Sequence, residues 1–72
     1  MAAPPRVRVV ANGRPVELAA GATVEHLVAR LDAGARWIVV ERNGEPVARE
    51  ERATTVLADG DRLEVVRAVA GG

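Results

Sequence analysis

From Arg6 onward apolar and polar residues alternate, with Val7 and Val9 on one side and Arg6 and Arg8 on the other. This is the period-two pattern of a strand that buries one face. The pattern breaks at Asn12-Gly13, a pair that tolerates the positive φ angles of a type I′ turn, and resumes from Val16 to Leu18, which predicts a β-hairpin. Pro15, near the start of the return strand, cannot donate a ladder hydrogen bond and places that strand at a sheet edge. The period then lengthens. Val24, Leu27, Val28 and Leu31 fall at i, i+3, i+4 and i+7, one face of a helix. Thr23 stands in the N-cap place, Glu25 lies in the first turn where the dipole favours an anion, and Gly34 can close the C-terminus.

Trp37 to Val40 is an unbroken apolar run, which predicts a strand covered on both faces or at a crowded edge. Asn43-Gly44 repeats the hairpin turn, with Val47 on the return. Residues Arg49 to Thr55 read as a polar loop with a short turn. After Val56-Leu57 and a turn at Asp59-Gly60, Leu63 and Val65 alternate against Arg62 and Glu64 in a last strand that runs almost to the end of the sequence. One amphipathic helix is available to cover one face of a small sheet, which is an α+β arrangement. A right-handed crossover through it directs the third strand parallel to a member of the first hairpin. The outline is a β-grasp (ubiquitin-like) roll, a mixed sheet of four to five strands with one main helix on one face. Residues 1–5 are expected to form a flexible N-terminal tail, 6–68 the folded domain and 69–72 a flexible C-terminal tail.

The composition narrows the function by what it lacks. The 72 residues suffice for a single domain,. Ten acids balance ten arginines, so no net charge grips nucleic acid or an anionic membrane. There is no cysteine, hence neither a disulfide framework nor a thiolate metal site, and a cytoplasmic setting is expected. No stretch approaches the roughly 20 apolar residues of a membrane span. Serine, lysine and tyrosine are also absent, the hydroxyls being those of Thr23, Thr54 and Thr55. Arginine does not serve as a general base, and a nucleophile needs a base beside it. The chain therefore reads as no enzyme in its own right, with no catalytic residue and no metal site. His26 has no second ligand and no nucleophile to activate, and reads as a solvated helix residue. Glu50 and Glu51, flanked by Arg49 and Arg52, read as a solvated loop. Asp59 and Asp61 lack the further ligands of a calcium loop and are accounted for by their turn.

Attention then falls on the end, Arg67-Ala68-Val69-Ala70-Gly71-Gly72. Four extended residues from Val69 to Gly72 reach at most roughly 14 Å. Glycine has no Cβ, so Gly71 and Gly72 present a backbone thin enough for a narrow channel, and the group delivered there is the Gly72 α-carboxylate. A carboxylate is inert until it is converted into an acyl donor, for instance by ATP-dependent adenylation on another enzyme. Arg62 and Arg67 are expected on the outward face of the last strand, where they solvate the sheet or orient the tail on a partner. Of Val66, Ala68 and Val69, those that do not face the core would form an apolar docking patch beside the tail.

Several stretches in this order resemble the thiamine-biosynthesis sulfur carrier family, ThiS. They are the Asn12-Gly13 turn, the helix entry Ala22-Thr23-Val24 with Leu27 and Leu31, the turn Val40-Glu41-Arg42-Asn43-Gly44, the run Asp59 to Val66, and the end Val69-Ala70-Gly71-Gly72. The resemblance implies that an E1-like, ThiF-type enzyme adenylates the Gly72 carboxylate with MgATP. A sulfur donor such as a cysteine desulfurase then supports its conversion to a thiocarboxylate, and the sulfur passes to thiazole synthase, ThiG. It implies that Gly72 is the reactive position, that Gly71, Ala70 and Val69 form the tail, that Arg62, Val66 and Arg67 are candidate partner contacts, and that the carrier binds no cofactor. Two other adenylated proteins look similar. A molybdopterin-synthase small subunit is usually longer and more aromatic, and a ubiquitin-like modifier extended into polymers needs lysines, which this chain lacks. A plain interaction module with an incidental tail is the reading from a different class.

Overall fold

The computed structural model describes residues 5–32 and 37–67. Gly34, expected to close the helix, and residues 68–72, which carry the expected tail, lie outside them. Strands β1 (Arg6–Ala11) and β2 (Arg14–Ala19) form the first hairpin, followed by helix α1 (Val24–Asp32). Strands β3 (Ile38–Arg42) and β4 (Glu45–Val47), a 3₁₀ turn at Arg49–Glu51 and strand β5 (Arg62–Arg67) complete the order.

The strands make one five-stranded sheet in the order β2-β1-β5-β3-β4. β5 is its central strand, parallel to β1 and antiparallel to β3. β3 therefore runs in the same direction as β2, with β1 and β5 between them. The parallel pairing in the ladder is made by the last strand. β2 lies at one edge, with Pro15 opposite Val10. Both hairpins turn on Asn-Gly with φ positive at each residue: 51° and 80° at Asn12-Gly13, 52° and 85° at Asn43-Gly44. These are the angles that a two-residue I′ loop requires.

Alternation carries Val7, Val9, Ala11, Leu18, Val40 and Leu63 to one face, where they are buried with Val24, Leu27 and Val28 of α1 and with Ala22 and Leu57. Full burial of each large aliphatic side chain contributes about 1.5–3 kcal/mol. Leu31, at the end of the helical stripe, stays 39% exposed. The opposite face of the sheet has no covering layer among the described residues. That overturns the reading of Trp37 to Val40 as covered on both faces or at a crowded edge: β3 lies between β5 and β4, and Val40 is 1% exposed, but Val39 is 53% and Trp37 51% exposed. A single helix cannot cover two faces.

The start of α1 is tied to the 52–57 loop. The amides of Val24 and Glu25 donate to the carbonyls of Thr55 and Arg52, and Leu57 N–H donates to Ala22 O. His26, read from sequence as merely solvated, completes the cap. Its Nδ1 accepts the Thr23 N–H at 2.9 Å, while its own N–H points at Thr23 Oγ1 at 3.4 Å. This is a capping box with an imidazole in the place usually held by Glu or Gln, and it requires the proton on Nε2. His26→Ala is expected to cost about 1 kcal/mol, a fall in Tm of roughly 4–8 °C, with His26→Gln recovering most of it. Thermal unfolding followed by circular dichroism reads both.

Candidate functional site

β5 is the strand that leads to the tail, and the chain holds it from both sides. In the parallel ladder with β1, Val10 N–H donates to Asp61 O and Asn12 N–H to Leu63 O, each at 2.9 Å. The Asn12 side chain continues that ladder beyond the end of β1: Nδ2 donates to Val65 O at 3.1 Å, and Oδ1 accepts Val65 N–H at 2.8 Å. The second turn asparagine does the same on the other flank. Asn43 Oδ1 accepts Arg62 N–H at 2.9 Å, and its own N–H donates to Arg62 O at 2.7 Å. Each Asn-Gly pair thus makes its hairpin turn and also fixes the last strand.

The entry to β5 is anchored by Asp61, which is 6% exposed. Its carboxylate accepts from Arg42 Nε at 2.9 Å, Asn43 Nδ2 at 3.0 Å and the Ala58 N–H at 2.8 Å. Burial alone would push this carboxyl upward. The hydrogen bonds from Ala58, Asn43 and Arg42, with the Arg42 charge, outweigh it and hold the group below its ordinary value of 3.8,. Asp59 accepts the Arg8 N–H at 2.7 Å. The turn reading of this pair is therefore incomplete, because both carboxylates bind other strands together. Arg52 also departs from the solvated-loop reading: it is half-buried and donates to Ile38 O.

Along β5, Leu63 and Val65 face the helix, while Arg62, Glu64 and Val66 lie on the open face. Arg67 does not join Arg62 there. They are five positions apart, an odd offset, so alternation carries Arg67 to the helix side,. It lies opposite Ile38 and lines a groove with Asn12, Leu31, Ile38 and Val65. On the open face Val66 is 54% exposed and pairs with Val39 of β3. This is an apolar cross-strand pair just before the tail, with half-exposed Trp37 at the head of β3. Of the residues expected to form an apolar patch, Val66 is thus exposed, while Ala68 and Val69 lie outside the described residues. Val69, Ala70, Gly71 and Gly72 lie outside the described residues. Among the described residues, no three His, Asp or Glu side chains are grouped as a metal could require. No helix among them is long and apolar enough to cross a membrane.

A clamped central strand, a one-helix roll and an apolar patch ahead of Gly-Gly agree with the resemblance stated above, and comparison with known proteins decides the family. The model of the ThiS family matches residues 6–72. The chain belongs to the ThiS family. It is 30% identical over 66 residues to the sulfur carrier protein ThiS of Escherichia coli K12, covering 92% of this chain and all of that protein. A thiazole synthase of Paramagnetospirillum magneticum is 38% identical over 66 residues, 92% of this chain. The chain spans 20% of that relative's length. The crystal structure of the thiamine biosynthesis protein ThiS from Geobacter metallireducens superimposes with a TM-score of 0.71 at 34% identity, covering 92% of this chain and all of that one. The likeness extends the β-grasp assignment from topology to the ThiS form of the fold.

Proposed function

We propose that the chain is a sulfur carrier for thiamine biosynthesis, a protein co-substrate rather than an enzyme, working in the cytoplasm. The observation that carries this reading is the match over the whole length of the E. coli carrier, within a family match that extends through Gly71 and Gly72. The Gly72 carboxylate attacks the α-phosphorus of ATP on a ThiF-type partner, which holds the Mg²⁺, and pyrophosphate leaves. A persulfide sulfur supplied through a cysteine desulfurase then attacks the acyl carbon, and AMP leaves. Reductive cleavage of the S–S bond by a thiol leaves the thiocarboxylate. Thiazole synthase is the acceptor, and the two relatives that bear that name support it. Within the carrier, β5 sets the exit of the tail, Arg62 and Val66 meet the partner on the open face, and Arg67 lies against the helix side at the root of the tail.

Incubation with a ThiF-type enzyme, MgATP, cysteine, a desulfurase and a thiol reductant tests this. The intact mass is expected to rise by the exchange of one oxygen for one sulfur, and fragmentation is expected to place the change at Gly72. An unchanged mass with partners that are active on another ThiS chain defeats the carrier reading. Capture by thiazole synthase, and not by the large subunit of molybdopterin synthase, is expected to separate the pathways.

A further inference from the structure

β1 ends at Ala11, opposite Leu63, while β5 runs on to Arg67. The chain leaves β1 there in the Asn12-Gly13 turn and returns as β2 on the far side of β1. The main-chain groups of Val65 that point towards β1 therefore have no strand residue to meet. The Asn12 carboxamide meets both: Oδ1 accepts the Val65 N–H at 2.8 Å, and Nδ2 donates to the Val65 carbonyl at 3.1 Å. A carboxamide carries a donor and an acceptor, as a peptide group does, so one side chain adds a rung to the ladder. Beyond that rung, Val66 and Arg67 stand in register with Val39 and Ile38 of β3, and the register with β1 has ended. Val65 is the last described residue of β5 held from both flanks, seven positions before Gly72. The turn itself does not ask for this side chain, because glycine adopts the φ of 51° at position 12 as readily,. Asn43 is not its equivalent. It binds Arg62 at the start of β5, where Asp61 already gathers three donors.

We propose that Asn12 is a positioning residue for the activation of Gly72. It touches neither the nucleotide nor the reacting carbon, and acts through the backbone of β5 by holding Val65 in line with the rest of the sheet. An acyl-forming attack proceeds only from conformers with carboxylate and phosphorus aligned at close approach. Freedom released at Val65 lies between the folded sheet and the tail, so docking of the sheet does not remove it. It has to be lost in the attack itself, which places its effect on turnover rather than on affinity. The inference rests on the carrier reading and adds to it a residue remote in sequence from the tail.

The test pairs amide hydrogen exchange of the free chain with ATP–pyrophosphate exchange by a ThiF-type enzyme against carrier concentration. Asn12→Gly keeps a I′ turn pair and removes both side-chain bonds. The Val65 amide is expected to exchange about tenfold faster in this variant. Its kcat is expected to fall about tenfold, with the KM for the carrier within about twofold of the wild type. Asn12→Asp keeps an acceptor for the Val65 N–H and is expected to restore the protection of that amide and part of kcat. His26→Ala, which loosens the distant helix cap, is expected to lower Tm and leave kcat unchanged. An unchanged Val65 amide in Asn12→Gly overturns the inference, as does a wild-type kcat in a variant whose amide is exposed. A loss carried by KM overturns it in favour of docking, and an equal loss of kcat in His26→Ala overturns it in favour of general stability. Protection restored by Asn12→Asp with none of the turnover overturns it too. Absence of exchange with the wild type, on a partner active with another ThiS chain, defeats the carrier reading and the positioning role with it. The amide measurement needs no partner and tells the two failures apart.

Discussion

A chain ending at Gly71 is expected to unfold at the same temperature as the full chain and to lose adenylation altogether, read as ATP–pyrophosphate exchange with a ThiF-type enzyme. The two halves of that expectation come from different parts of the molecule. The core closes with Leu63, Val65 packs against it, and Arg67 is the last of the described residues in register with β3. Removing residue 72 takes no buried side chain and no ladder hydrogen bond of the described residues. The reacting carbon, by contrast, is displaced by one residue, about 3.5 Å. Nucleophile and phosphorus must approach to about 3–3.5 Å with the right alignment. A shift as large as the approach distance takes the carboxylate out of line with the phosphorus. Exchange at the wild-type rate in the shortened chain would falsify the assignment of Gly72. A Tm lowered by several degrees would instead place residue 72 in the fold.

What was legible in the sequence follows the range of the interactions. Val7, Val9, Leu18, Val24, Leu27, Val28 and Leu63 all take the buried places that their spacing predicts, because periodicity reports a face within a single element. Pro15 reported an edge for the same local reason. The cover over Trp37 to Val40 was misjudged because an apolar run does not say how many layers lie above it. The opposed faces of Arg62 and Arg67 were contained in their odd offset of five positions, although the adjacent Val65-Val66 obscures the alternation.

The holding of β5 was not legible. Asn12 and Val65 are 53 residues apart, and an Asn-Gly pair is already accounted for by its positive φ angles, so nothing local signals a second duty for the side chain. Two Asn-Gly turns in one short chain were the available sign. The pairing of Glu41 with Glu64 on the open face was hidden in the same way, since they become neighbours only through the β3–β5 register. The features that hold β5 and mark its open face are thus the long-range ones. The features read correctly from sequence are those that build the core.

Asp61→Asn is expected to be the most destabilising of the point substitutions considered, at about 3 kcal/mol. The asparagine is nearly isosteric, so no cavity forms and the loss is electrostatic. Three donors converge on the carboxylate, and a neutral amide directs its own NH₂ at one of them. Arg42 is about a third exposed, against 8% for the Asp61 side chain, so water recovers part of the arginine's loss and the upper end of the range for a buried pair is not reached. For a domain of this length the total stability is of order 4–11 kcal/mol. The loss is therefore a large share of it, roughly 12–24 °C in Tm. The pH dependence carries the sign. Because the folded-state value of Asp61 lies below 3.8, the unfolded chain binds the proton more readily, and stability rises with pH through that interval. The contribution is full above the ordinary carboxylate value and is lost as the pH falls through the depressed one. Urea unfolding of the wild type and Asp61→Asn should show their widest gap near neutrality and converge as the pH drops below 3.8. A gap that stays constant in acid would mean that the ionised carboxylate does not anchor β5.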